Sequence, residues 1–587
     1  MTTAGGSYDC HRDHGPYAGI ADLLSTIAVD RPRLAARHRV ELHAIAPRLD
    51  RTARPAAEEE PIRFHPARRT AWLAYGATEF VLAWAGRLRQ PVTVRFDHVG
   101  NADETTRELL DALARRTAST PLRLDLRDDG PHPTATVTPT PEAVRRMLGD
   151  SLARGFYHHA ARTGRRGRAL VTPDDDLRHW WAFTTGLATA LAALDRATEA
   201  LDLYHEARTI TDDPKITMSA AYATAMLHAR HLPAAEQDPA QARHWLEEAI
   251  RLAAGLPDQR QRTLSTVFYE QGLALLDSRA GQPDRALRLI DAGLARLGAV
   301  LAPGERRQDL ARLRHNRAQV HLALGDPARA LADLDTVIAD DPDNCEYYVD
   351  RAALYRAAGR SRAAIRDYGT AIRLGPHLPE AYYNRAVLEQ DRGRPARARD
   401  DLGRVLVIDP GHLDARIALV NLEVERGALD AAEAGAQAGL ALAPQEPALL
   451  CTLGLIRSER GDLAAADDLL SRALAGDPDL VEAWTNRAAV RFERGDVAAA
   501  VADLDRAVAR SAAPVPRYNR GTALMRLGRW AEAARDFTDA LAQPDLDRAL
   551  RRDLRRELAR CRRASASAVG RAGDAAAADE RRSDRPA

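Results

Sequence analysis

Lysine is nearly absent from this sequence: Lys215 is the only one among 84 basic residues, and the rest are arginine. A phosphate-cradling loop of the G-x-x-x-x-G-K-[ST] type needs its lysine, and no such loop occurs. Also missing are G-x-S-x-G, H-E-x-x-H and any glycine-rich dinucleotide loop, so neither a catalytic site nor a cofactor is expected. Cysteine is scarce. Cys10, Cys345, Cys451 and Cys561 are too scattered for a disulfide framework or a metal cluster. Cys10, His11 and His14 could offer metal ligands but have no second cluster to complete a set, so no metal is expected. Aromatic residues make up only 5% of the chain. No apolar run is long enough for a membrane span; the best stretch, Ala71 to Gly86, is short and carries Glu79. Charge of one sign is lacking too. The 84 basic and 83 acidic side chains leave a net charge of +1, so no overall field favours nucleic acid or an anionic membrane. The opening residues, Met-Thr-Thr-Ala-Gly-Gly-Ser-Tyr, show no basic stretch leading into an apolar core, and a cytoplasmic location is expected.

What the sequence has is a period. Gly325, Gly359, Gly393, Gly427, Gly461, Gly495 and Gly528 follow one another at 34, 34, 34, 34, 34 and 33 residues. Five residues after each glycine stands alanine: Ala330, Ala364, Ala398, Ala432, Ala466, Ala500 and Ala533. Seventeen after the first five come Pro342, Pro376, Pro410, Pro444 and Pro478. Nine after the glycine a large side chain recurs (Leu334, Tyr368, Leu402, Leu470, Leu504, Phe537), and only the fourth copy breaks the rule, with Ala436.

Each position has a mechanical reason. Glycine takes positive φ where a first helix, A, ends and the chain turns. Alanine permits a close crossing of the second helix, B, over A. Proline has no N–H to continue helix B. The large residue fills the gap to the next hairpin. One hairpin cannot bury its apolar stripe alone, so such copies are stable only when stacked.

These residues, as in Ala381-Tyr-Tyr-Asn-Arg-Ala-Val-Leu-Glu-Gln-Asp-Arg-Gly393, resemble the tetratricopeptide repeat, and the Arg- and Ala-rich composition is that of an actinobacterial-like, GC-rich genome. The resemblance implies a mainly α fold: a solenoid of helical hairpins wound as a right-handed superhelix, after a small α/β or mostly helical N-terminal domain. Looser copies extend upstream, with Ala200 five residues after Asp195 and Ala286 five after Gly281. Ala242, Leu246 and Ala249 hold the helix B spacing between them, with Met218 to His231 as helix A. The expected organisation is a flexible start over 1–15, an N-terminal domain over 16–150, divergent hairpins over 151–300 and seven regular repeats over 301–545. A capping helix over 546–563 and a disordered tail over 564–587 complete it. About ten hairpins are expected between 177 and 543.

Two charges come and go together. Eight residues before the glycine stand Arg317, Arg351, Arg385, Arg487 and Arg520; eight after it stand Asp333, Asp367, Asp401, Asp503 and Asp536. The two middle repeats lack both, having Leu419 with Gly435 and Leu453 with Leu469. The pattern predicts an Arg–Asp bridge between helices A and B of five repeats. The alternative is arginines that line a ligand groove.

In the family resembled, the inner wall comes from helix A at 13, 10, 6, 3 and 2 residues before the glycine. Here that set contains the acids Glu346, Glu380, Asp391, Asp414, Glu425, Glu459, Glu482 and Glu493, and the bases Arg312, Arg356 and Arg526. Val349, Tyr383, Ile417, Asn421, Phe492 and Tyr518 lie between them. An acidic wall with apolar gaps suits a peptide or partner protein that bears Arg or Lys and apolar anchors; an ordinary solvated face is the alternative. The resemblance therefore implies a protein–protein interaction scaffold. A C-terminal carboxylate grip is not expected, since only Asn384 matches its residues. Nucleic acid is not expected either, because the wall has the wrong sign.

The first 150 residues read as helices near 17–28, 33–49 and 67–88. A strand over Pro91–Asp97, a helix from about Asn101 to Arg116 and a strand over Pro121–Leu126 follow. Strand, acid, helix, strand resembles the Walker B region of STAND-type signalling NTPases, with Asp97 in the magnesium-linked place and His98 where a second acid often stands. This gives a second reading, a regulatory protein whose nucleotide module is inactive and whose repeats sense a partner. A docking domain without ligand is the other possibility.

Overall fold

The structure is a computed structural model that describes residues 5–12, 15–46, 66–117, 120–128, 140–302, 304–544 and 546–583. Its contacts divide the chain into two compact units, Met1–His377 and Leu378–Ala587.

The first unit opens with a three-stranded parallel sheet of order β1-β2-β3: β1 (Ser7–Asp9), β2 (Val92–Asp97) and β3 (Leu122–Leu126). Around it lie α1 (Ile20–Asp30), α2 (Pro32–Ala35), α3 (Arg39–Ile45), α4 (Pro66–Ala85) and α5 (Glu104–Arg116). Strand alternation decides which face is covered. Val94 and Phe96 are fully buried among Leu23, Ile27, Phe80 and Leu109, whereas Thr93 and Arg95 point away. The expected flexible start is corrected over the described residues. Ser7–Asp9 pairs with Arg95–Asp97, and Tyr8 packs on Phe96 at 5.9 Å between ring centroids. Cys10 is wholly buried, and burial pushes its thiol up to about 12, so it is a core residue. The expected helix over 33–49 is split into α2 and α3 by a short 3-10 turn, Ala36–His38, and its last residues lie outside those described.

Helical hairpins follow. They begin before the expected boundary at 151: α6 (Pro141–Arg154) and α7 (Tyr157–Leu170) already pack against α8, and Trp180 near the start of α8 is a core residue. Then come α8 (Leu177–Ala193) with α9 (Ala197–Ile210), α10 (Pro214–Met226) with α11 (Pro239–Ala254), and α12 (Gln259–Arg279) with α13 (Pro283–Val300). The unit ends with α14 (Arg307–Ala323) and α15 (Pro327–Asp340), then α16 (Cys345–Ala357) and α17 (Ser361–Leu374). Lys215 is exposed in the first turn of α10, after the Asp213 N-cap.

The second unit holds five more hairpins: α18 (Pro379–Asp391) with α19 (Pro395–Ile408), α20 (Leu413–Glu425) with α21 (Leu429–Leu442), and α22 (Pro447–Glu459) with α23 (Leu463–Gly476). The last two are α24 (Val481–Glu493) with α25 (Val497–Arg510) and α26 (Pro514–Arg526) with α27 (Trp530–Leu541). Finally, α28 (Arg548–Ser583) lays Leu554, Leu558 and Cys561 on Phe537 and Ala540. The expected disordered tail is corrected in part. The helix runs on past 563 to Ser583 through an alanine-rich stretch of high helix propensity.

All seven periodic glycines have φ between 69° and 88°. Each closes helix A with the same bond, from the N–H after the glycine to a carbonyl five residues back, as in Arg394 to Glu389 at 2.8 Å. Asp195 takes the glycine's place in the first hairpin, with φ 58° and the equivalent bond from Arg196 to Leu191 at 2.9 Å. The seven periodic alanines are all fully buried, which is what a close helix crossing requires.

Candidate functional site

Each of the five paired arginines meets its aspartate side-on with two bonds. Arg317 reaches Asp333 at 2.8 and 2.6 Å, Arg351 reaches Asp367 at 2.7 and 3.0 Å, and Arg385 reaches Asp401 at 2.8 and 2.7 Å. Arg487 reaches Asp503 at 2.9 and 2.8 Å, and Arg520 reaches Asp536 at 2.8 and 2.6 Å. The aspartates are buried, and their hydrogen bonds hold Arg317, Arg351, Arg385 and Arg520 above the usual arginine pKa. These side chains are committed to the hairpin.

Sequence reasoning missed a further arm. The remaining nitrogen of the guanidinium reaches back to the preceding helix B: Arg317 to Asp291 at 2.8 Å, Arg351 to Asp335 at 2.7 Å and Arg520 to Asp505 at 2.7 Å. Arg487 reaches Ser471 at 3.0 Å in the same way. These partners lie ten residues after their own glycine, so the signal was present in the period. One planar group with five donors can hold three helices.

In the second unit the proposed wall residues divide by burial. Glu380, Tyr383, Ile417, Phe492 and Tyr518 are half-buried, while Asp391, Asp414, Asn421, Glu425, Glu459, Glu482 and Glu493 are exposed. Ile417, Phe492 and Tyr518 each set one side on the core. Tyr383 stacks on His412 at 5.2 Å. A recess of about 150 Å³ brings Phe492 and Glu493 of α24 together with Tyr518 and Thr522 of α26, an apolar gap with an acid at its edge. Among the described residues, Asp391, Asp414, Glu425, Glu459, Glu482 and Glu493 make no ion pair.

Four of these acids have a common place. Asp391, Glu425, Glu459 and Glu493 are the last residues of α18, α20, α22 and α24. There the helix dipole presents its negative end, so a carboxylate forgoes the roughly 0.3–1 kcal/mol that a cation would contribute. Glu482 and Asp414 stand eleven residues earlier on their helices, close to three turns, and so share the face.

In the first unit Glu346 and Val349 are half-buried, and Arg356 is exposed. Here the same rule of position brings residues of three hairpins together. A cavity of about 360 Å³ is lined by Phe268 and Gln271, Arg312 and His315, and Glu346, which lie 13 or 10 residues before Gly281, Gly325 and Gly359. Tyr222 and Arg230 join them from the α10 hairpin, which has no periodic glycine to reveal its phase.

At the sheet, Asp97 ends the middle strand but is already engaged. Its carboxylate accepts from Ser7 and from Arg95 at 2.7 Å, and the Ser7 bond, then Arg95, holds its pKa below the usual range. His98 has φ 59° and its Nδ1 lies 2.8 Å from Asp9. Among the described residues no group of His, Cys, Asp and Glu is arranged to hold a metal, and no helix is long and apolar enough to cross a membrane.

Family models described as tetratricopeptide repeat match residues 315–379, 349–412, 389–450 and 451–514. No curated protein of characterised function matches the sequence significantly. Among solved structures, a tetratricopeptide repeat protein from Parabacteroides merdae is 18% identical with a TM-score of 0.36, covering 42% of this chain and 98% of its own. Yeast Tom70 is 14% identical with a TM-score of 0.30, over 73% of this chain and 96% of its own. YrrB, a repeat protein with an unusual peptide-binding site, is 18% identical with a TM-score of 0.27, over 30% and 92%. From residue 315 to 514 this chain is built of tetratricopeptide repeats.

Proposed function

We propose that the protein is an interaction scaffold whose second unit holds a basic segment of a partner protein against the A helices of its repeats. The observation that carries this reading is the row of four carboxylates at the C-terminal ends of α18, α20, α22 and α24. None has a cation of its own, and each stands where the helix dipole opposes it. Stability given up at four equivalent places is explained when a ligand supplies the missing positive charge. The recess between Phe492 and Tyr518 offers a seat for an apolar side chain of the same segment. Affinity would then come from the apolar anchor, and orientation and on-rate from charge.

The test uses the full-length chain and a fluorescent helical peptide, capped at both ends, that bears arginine on one face and leucine beside it. Binding is followed by anisotropy against a counterpart with glutamate in place of arginine. The expected result is saturable binding of the arginine peptide alone, weakened roughly tenfold or more by Glu459→Arg with Glu493→Arg and reduced by salt. Equal binding of both peptides, or indifference to the charge reversals, would sink the reading.

A further inference from the structure

The cavity in the first unit has a chemistry opposite to that of the acidic row. At one end Tyr222 of α10 lies 4.7 Å from Phe268 and 5.2 Å from Tyr269, ring centroid to ring centroid. Phe268 keeps 43% of its surface exposed, unusual for so large an apolar side chain in this aromatic-poor chain. The shelf these rings make is bordered by Arg230 and Arg312, both close enough to Tyr222 to act on its hydroxyl.

Arg230 is the unusual member. Helix α10 does not end in the usual way: it widens into a π-turn, Leu227–His231, closed by a bond from the Leu232 N–H to the Leu227 carbonyl at 3.0 Å. Such turns are rare and tend to occur at functional sites because they re-aim the side chains they carry. The turn places Arg230 at the cavity rim with no carboxylate partner among the described residues. Desolvation works against its charge, Tyr222 favours it, and the neighbouring Arg279 opposes it again. Arg312 is tied to Asp309 on its own helix, and Arg279 donates to the Ala229 carbonyl at 2.7 Å. Asp341, just before α16, and Glu346, in its first turn, supply the negative charge of the lining.

We infer that this cavity is a second binding site, which takes an acidic segment of a protein with an aromatic side chain next to a carboxylate. The aromatic ring lies on Phe268 and Tyr222, and the carboxylate pairs with Arg230. Asp341 and Glu346 on the same lining exclude further negative charge beside them, so the segment offers the cavity a single carboxylate next to its ring. This ligand differs in sign from the one proposed for the second unit, and the two readings stand or fall separately.

The experiment uses the full-length protein and a short fluorescent peptide of alternating glutamate and phenylalanine, capped at both ends so that only side chains carry charge. Saturable binding is expected, weakened roughly tenfold or more by Phe268→Ala and by Arg230→Glu, and partly kept by Arg230→Lys. Glu459→Arg with Glu493→Arg should leave it unchanged. Both rim positions are solvent-facing, and circular dichroism with thermal melting checks that the variants fold. Absence of saturable binding up to roughly 1 mM, equal binding by Phe268→Ala and Arg230→Glu, or sensitivity to the second-unit variants would overturn the inference.

Discussion

At the scale of single residues, the periodic glycines separate conformational cost from steric cost. A Cβ built on Gly393 meets nothing within 4 Å, so Gly393→Ala is charged only for positive φ. The expected loss is about 1 kcal/mol in chemical denaturation. Asp195 tests the converse, since it already holds φ 58° in the same turn. Asp195→Gly should raise stability by roughly 0.5–1 kcal/mol. The offset of five residues from Asp195 to Ala200 had located this turn without a glycine to mark it. The Arg–Asp pairs give a sharper contrast. The side chains of Arg385 and Asp401 are 24% and 10% exposed, and neither has another ion-pair partner among the described residues. Arg385→Leu alone strands a buried carboxylate and should cost about 3–5 kcal/mol. Arg385→Leu with Asp401→Leu copies what the chain has at Leu453 and Leu469, and should recover most of that loss. Equal midpoints of unfolding for the single and double variants would show that the pairing carries no specific weight.

At the scale of helices, the row of acids trades stability for charge. Glu425→Gln and Glu459→Gln should each raise the melting temperature slightly, worth about 0.3–1 kcal/mol apiece, while they weaken the basic peptide. Helix α21 is the weak member of the second unit. It contains Gly435 and Gly439, replaces the large packing residue with Ala436 and has no Arg–Asp pair. Neither glycine can simply become alanine, because a Cβ would lie 2.8 Å from Val420 or 2.3 Å from Leu449. Amide exchange should therefore be faster in α21 than in α19, α23 or α25. Hairpin order and phase were readable from sequence wherever glycine, alanine and proline recur. At α10 the hairpin itself was legible from Ala242, Leu246 and Ala249, but its phase was not, because a π-turn stands where the glycine would, so Tyr222 and Arg230 were not placed on the wall. Strand β1 was missed for a different reason: three residues are too few to show alternation, and its partner lies more than eighty residues away. The third arm of Arg317, Arg351, Arg487 and Arg520 was not legible within one copy because it joins neighbouring copies.

At the scale of the whole molecule, stability is a sum over neighbours, so the last surface of the stack needs a cover. Helix α28 provides it with Leu554, Leu558 and Cys561, all set on α27. Leu554→Ala should cost roughly 2–5 kcal/mol and lower the melting temperature of the second unit, measured by calorimetry. The acidic row and the aromatic cleft belong to different units, and each was built by the same rule of position on helix A acting on different side chains. The sequence period therefore reports where a wall must be, and only the local residues report what it can hold. The exposed Lys215 gives the chain an unusual practical property. A lysine-specific protease has one peptide bond to attack, at the start of the hairpin that bears Tyr222 and Arg230. A chain cut there that still migrates as one particle would show that its two fragments are held by stacked helices alone, with no covalent thread between them.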